Sequence, residues 1–153
     1  MERELRTLPE TAGAVRLVPL ARERGGAWIT LHNECFFEMP NSATYGPQDL
    51  ERALSAEYAC GFVQWKDIPV GVYELELTEE LPVIDGIALH KDFRGKGLGR
   101  ELLAAVLNEL AGRGYQRCRL LVATDNENAF ALYRSTGFKA AGVQSQWFQM
   151  LAE

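Results

Sequence analysis

Cysteine is scarce in this 153-residue chain, and the three present, Cys35, Cys60 and Cys118, stand far apart in hydrophobic surroundings. A disulfide framework or a cysteine-based zinc site needs paired spacing, so reduced core thiols are expected and no metal. No run of about 18 apolar residues occurs, which excludes a membrane-spanning helix. The opening stretch MERELRTLPETAG is charged and has no apolar signal-peptide core, so a cytoplasmic protein is expected. Positive charge is not in excess either: the net charge is -5 and no predicted element carries a basic stripe, which argues against a nucleic-acid partner. Repeats, low-complexity tracts and linkers are missing, so residues 1–153 are expected to form a single domain. At 47% hydrophobic residues the chain can bury a core without staples.

What is present reads as alternating strands and helices. AVRLVPL is a first strand, and apolar residues at helical spacing predict a helix from Glu23 to Phe37. The loop EMPNSATYGP follows, then a second helix, QDLERALSAEY. CGFVQW and VGVYELEL are strands around a turn at KDIP; the second should be half-exposed, since Tyr73, Leu75 and Leu77 alternate with Glu74 and Glu76. VIDGIALH is a further strand, although Asp85-Gly86 is also a hairpin-turn signal. Leu98, Leu102, Leu103, Val106, Leu107 and Leu110 form one apolar helix face. CRLLVA suits a strand covered on both sides, NENAFALYRSTGF a short helix capped by Asn126 or Thr124, and KAAGVQSQWFQML a final strand that admits a hairpin at Gln144 to Gln146. The sum is an α/β chain with an α+β mixed sheet, ordered β-α-α-β-β-β-α-β-α-β.

The stretch HKDFRGKGLGR holds Gly95, Gly97 and Gly99 among Lys91, Arg94, Lys96 and Arg100, with Asp92 as the only acid, giving +3 within the ten residues Lys91 to Arg100 of an acidic chain. A glycine turn that opens a helix is an anion site, because its N–H groups point outward unpaired and the helix dipole adds positive character. The P-loop spacing is absent, and the dinucleotide fingerprint fails because Arg119 stands where its acid should be. Arg94 to Gly99 fits R-x-x-G-x-G instead. Together with NENAFALYRSTGF, in which an asparagine precedes an Ala-x-x-Leu-Tyr helix ending in Gly-Phe, this stretch resembles the GNAT superfamily of N-acetyltransferases, and the likeness covers most of the chain from Val15 onward.

That resemblance implies a GNAT-like acyl-CoA N-acyltransferase fold and acetyl-CoA as cosubstrate. The backbone of Gly95, Lys96, Gly97, Leu98 and Gly99 would hold the pyrophosphate, with Arg94, Lys96 and Arg100 adding charge, unless those side chains are merely solvated. The pantetheine arm would lie along IALH, where the Leu89 N–H would polarise the thioester carbonyl. Tyr133 matches the family's general acid; packing against Phe130 is its bland alternative. Asn126 would touch the coenzyme, though a helix cap explains it equally. Asp85 shares strand parity with Ile87 and Leu89 and is the candidate base, with a plain turn residue as the other reading. Glu34, Glu38, Glu74 and Glu76 could line the acceptor side or be solvated surface. His90 points to the opposite face from Leu89 and reads as structural or surface.

No cysteine or serine has a visible base partner, so direct transfer in a ternary complex is expected over a covalent intermediate. Acidic loops and the aromatics Trp28, Phe37, Tyr45 and Trp147 lean toward a small cationic or aminoglycoside-like amine, although core packing is the stronger reading of each aromatic, and a peptide N-terminus is a further acceptor. A non-catalytic acyl-CoA sensor is the alternative from another class. The family also admits a homodimer through strand pairing.

Overall fold

A computed structural model of the chain describes residues 15–36, 44–77, 82–94, 97–115, 118–123, 138–144 and 147–152, with backbone only from residue 121 onward. The strands are β1 Arg16–Pro19, β2 Tyr58–Trp65, β3 Ile68–Glu76, β4 Val83–Leu89, β5 Cys118–Ala123, β6 Phe138–Gln144 and β7 Trp147–Ala152. The helices are α1 Gly25–Phe36, α2 Pro47–Ala53 and α3 Leu98–Gly112. The strands form one seven-stranded sheet in the order β1-β2-β3-β4-β5-β7-β6. Its β4–β5 pair is parallel, joined by α3 as a βαβ crossover, and the other pairs are antiparallel.

Two apolar clusters cover the two sides of the sheet. On one side Leu98, Leu102, Leu103, Val106, Leu107 and Leu110 of α3 pack on Tyr73, Leu75, Ile84 and Leu89, the face that the helical spacing predicts. On the other, Trp28 of α1 and Ala53 of α2 pack on Cys60, Phe62 and Val72, and Trp28 donates its indole N–H to the Gly61 carbonyl at 2.9 Å. None of the three cysteines is in a disulfide, and all are buried. Burial pushes the Cys35 thiol up to about 12, too high for a resting thiolate. No helix among the described residues is long and apolar enough to cross a membrane.

Several local expectations change. The second helix stops at Ala53, and Tyr58 already belongs to β2. The β2–β3 turn is a two-residue one, with Lys66 at φ 52 and Asp67 at φ 64, the left-handed pair that matches strand twist. β3 is not half-exposed: Glu74 is only 4% exposed, because both sides of this central strand are covered. Asp85-Gly86 makes no hairpin. β4 runs through it, but its register with β3 jumps from Leu75↔Ile84 to Glu74↔Gly86, so Asp85 is the extra residue of a β-bulge. The C-terminal segment is the β6–β7 hairpin. The stretch expected as the last helix, with Asn126 and Tyr133, lies outside the described residues, as do Gly95, Lys96, Phe37 and Glu38.

Candidate active site

β4 and β5 touch only at Val83↔Arg119 and Ile84↔Leu120. Beyond Ile84 the strands part, so one edge of β4 from Asp85 to Leu89 is left without a β5 partner. The His90 N–H donates to the Val70 carbonyl at 2.7 Å, so by the alternation of an antiparallel ladder His90 and Ala88 bond toward β3. Ile87 and Leu89 therefore turn their N–H groups the other way, into the opening.

At the end of this edge stands the start of α3. Gly97 is its N-cap at φ 79, a left-handed conformation that L side chains rarely adopt, and nothing lies within 4 Å of where a Cβ would be. Among the described residues no side chain caps the helix, so the N–H groups at its start, those of Leu98 and Gly99, are outside the helix's own hydrogen-bond ladder. Leu98 is buried into the core, which fixes the direction of the turn, while Arg100 is exposed. Arg94 reaches back to β4 and α1: its Nε donates to the Leu89 carbonyl at 3.0 Å and its Nη2 to the Cys35 carbonyl at 2.7 Å. His90 accepts from the Asp92 N–H at 3.2 Å, with Glu34 at 3.4 Å from its other ring nitrogen.

The opposite face of the sheet holds a polar network. The Tyr45 hydroxyl donates to Glu74 at 2.6 Å, and Arg52 joins Glu74 at 3.0 Å and Asp49 at 3.1 Å. Asn33 pins the Tyr45 backbone, accepting from its N–H at 2.8 Å and donating to its carbonyl at 3.1 Å. His32 stacks on the Tyr45 ring at 3.6 Å, and burial lowers its affinity for a proton. Burial also raises the Tyr45 hydroxyl, helped by its bond to Glu74, so Tyr45 stays a donor. The Arg52 guanidinium lies 5.0 Å from the Tyr45 ring centre and 5.7 Å from that of Tyr58.

Asp85 belongs to this face, which corrects its expected parity with Ile87 and Leu89. Those two pack toward the α3 cluster, whereas the bulge turns Asp85 and Gly86 together toward Glu74, with Phe36 3.5 Å from a Cβ built on Gly86. Asp85 keeps an exposed edge, yet burial of the remainder, then Glu74 and Glu76, push its carboxyl up to about 7, against the opposite pull of Arg52 and Arg119. Sequence reasoning missed Arg52, Asn33 and His32; an acid set between apolar residues in VGVYELEL was the one signal that a buried cation had to be near. Among the described residues no three His, Cys, Asp or Glu side chains gather as a metal site.

A mixed sheet that opens at its parallel pair, with a glycine-led helix at the opening, is an acetyltransferase fold. An N-acetyltransferase, PaiA, from Thermoplasma acidophilum, solved in complex with coenzyme A, matches with a TM-score of 0.71 at 18% identity, over 91% of this chain and 98% of that one. The ribosomal-protein-S18-alanine N-acetyltransferase from Escherichia coli matches with a TM-score of 0.74 at 19% identity, over 90% of this chain and 92% of that one. The chain belongs to the acetyltransferase (GNAT) family, whose model matches residues 25–138. A mycothiol acetyltransferase from Corynebacterium efficiens is 31% identical over 137 residues, which is 86% of this chain and 46% of that protein. The chain thus spans about half the length of the curated relatives it matches.

Proposed function

We propose that the chain is an acetyl-CoA-dependent N-acetyltransferase that passes the acetyl group directly to a primary amine in a ternary complex. The observation that carries this reading is the position of β4: its open edge leads to the uncapped start of α3 at one end and to the Asp85 bulge at the other. The N–H groups at Gly97, Leu98 and Gly99 suit the pyrophosphate, with Arg100 adding charge, and the β4 edge suits the pantetheine arm. Gly95 and Lys96 are assigned to the same task by the R-x-x-G-x-G motif alone. The Leu89 N–H faces the opening and would donate to the thioester carbonyl as negative charge grows on its oxygen.

In the reaction the amine nitrogen bonds to the acetyl carbon, Asp85 takes the proton that nitrogen loses, and the carbon–sulfur bond breaks. Tyr133 returns a proton to the departing thiolate, and Asn126 holds the coenzyme. A carboxyl pushed up to about 7 is matched to proton removal at neutral pH. The acceptor is a small cationic amine, because Glu74, Glu76 and Asp85 gather three carboxylates beside the Tyr45 and Tyr58 rings, against Arg52 as the cation paired with Glu74. The test is thiol release from acetyl-CoA across polyamines, aminoglycosides and peptide N-termini. Turnover is expected with the polycations. Turnover on peptides alone would move the acceptor to protein N-termini, and tight acetyl-CoA binding without turnover on any amine would leave a sensor.

A further inference from the structure

We propose that Arg94 is a positioning residue, which ties the C-terminal end of α1 to the end of β4 and thereby sets the Leu89 backbone for transfer, instead of binding the pyrophosphate. The inference rests on the acetyl-CoA reading above. The carbonyls in the last turn of a helix have no helical partner, and a cation there is favoured by the helix dipole; Cys35 is one residue from the end of α1, and its carbonyl takes Nη2 of Arg94 at 2.7 Å. The Leu89 carbonyl takes Nε at 3.0 Å. Both bonds use one edge of the planar guanidinium, so two elements 54 residues apart in sequence are held at a set spacing by one rigid group (89 − 35 = 54).

The consequence for chemistry lies at Leu89. Its N–H and its carbonyl both face the open edge, and a free carbonyl there would repel the thioester oxygen arriving beside it. Arg94 occupies that carbonyl and leaves the N–H as the group offered to the donor. The same bond reaches α1, whose His32 stacks on Tyr45 above the carboxylates of the other face. Donor strand and acceptor-side helix are thus braced through one side chain. Lysine cannot hold that spacing, because its ammonium donors turn freely on a flexible stem and are not fixed in one plane.

Arg94→Lys and Arg94→Met decide the matter when assayed with two donors, acetyl-CoA and S-acetylpantetheine, the second of which has no pyrophosphate. The expected result is a loss in single-turnover rate of roughly 10- to 100-fold with both donors and in both variants, the scale of a small misplacement of reacting groups. The acetyl-CoA dissociation constant and its salt dependence should stay near those of the parent protein. A loss confined to acetyl-CoA, with weaker binding, a shallower salt dependence and a nearly normal Lys variant, would make Arg94 a phosphate ligand and overturn the proposal. Amide hydrogen exchange on the ligand-free protein gives a second measure: the last turn of α1 should exchange faster in both variants, and unchanged exchange there would refute the brace even if rates fell. Should the Met variant fail to fold, the Lys variant carries both measurements. If the parent protein turns over neither donor, the acetyl-CoA reading fails, and hydrogen exchange still judges the brace by itself.

Discussion

The two faces of the sheet around β4 are built by different means. On the α3 side the work falls to backbone: a glycine at φ 79, an uncapped helix start and a strand edge left open, all supported by an apolar cluster. On the α1 and α2 side it falls to side chains, with Glu74, Arg52, Tyr45, Asn33 and His32 drawn from distant parts of the chain. A backbone site depends on conformation and tolerates many side chains. A side-chain site depends on which residues meet, and can be retuned one residue at a time.

The sharpest break in that comparison should come from Asp85→Asn, which keeps the shape of the bulge and removes the proton acceptor. The single-turnover rate should fall by roughly 10²- to 10⁴-fold while acetyl-CoA affinity holds, as read by rapid quench and calorimetry. The same variant tests linkage. The folded protein holds this proton up to about 7 while an unfolded aspartate releases it near pH 4, so the native state binds more protons in between. Asp85 therefore makes stability fall as pH rises from about 4 to about 7, and the Asn variant should lose that slope in denaturant titrations.

Gly97→Val should act on the other face and in the opposite sense. A β-branched residue is strained at φ 79, and its side chain would fill the space left open at the helix start. Acetyl-CoA affinity should drop by at least about tenfold, which is roughly 1.4 kcal/mol, while the pH midpoint of the chemical step stays put. Glu74→Gln should do the converse. With Glu76, Arg52 and Arg119 remaining as the described charges around Asp85, loss of the Glu74 charge lowers the proton affinity of Asp85, so the acid limb of kcat/KM moves to lower pH with coenzyme affinity intact. An unmoved limb would separate Asp85 from the network. The smallest effect belongs to neither face: Asp67→Gly relieves a left-handed residue at the β2–β3 turn and should stabilise the fold by about 0.5–1 kcal/mol without touching rate or affinity, measured by thermal unfolding.

How much of this was legible in the sequence follows the same division. α3 and β5 emerge as read, since a helical apolar stripe and the run CRLLVA are local signals, and β5 covers the expected Cys118–Ala123. The start of α3 just after Gly97 was legible for the same reason. α2 was read too long because Leu54 and Tyr58 continue a helical spacing, whereas the chain turns at Ser55, whose carbonyl takes the Tyr58 N–H at 3.3 Å. β3 was misread because the partner that lets Glu74 be buried, Arg52, lies 22 residues away, and the local pattern hints at a cation without naming it. Asp85-Gly86 was ambiguous for a physical reason, since residues that favour hairpin turns also favour bulges.

The bulge has one further consequence, which concerns design by insertion. Leu75 and Ile84 share the α3 side, and Glu74 and Gly86 share the other, so Val83-Ile84-Gly86-Ile87 would alternate perfectly as a strand if Asp85 were absent. The proposed base is an additional letter in a sentence that reads without it. Excising Asp85 should leave every core side chain on its proper side and the sheet in register, with the chemistry alone removed. A sheet of this kind can gain, move or lose a proton acceptor through a single-codon insertion, without renegotiating the packing that holds it together.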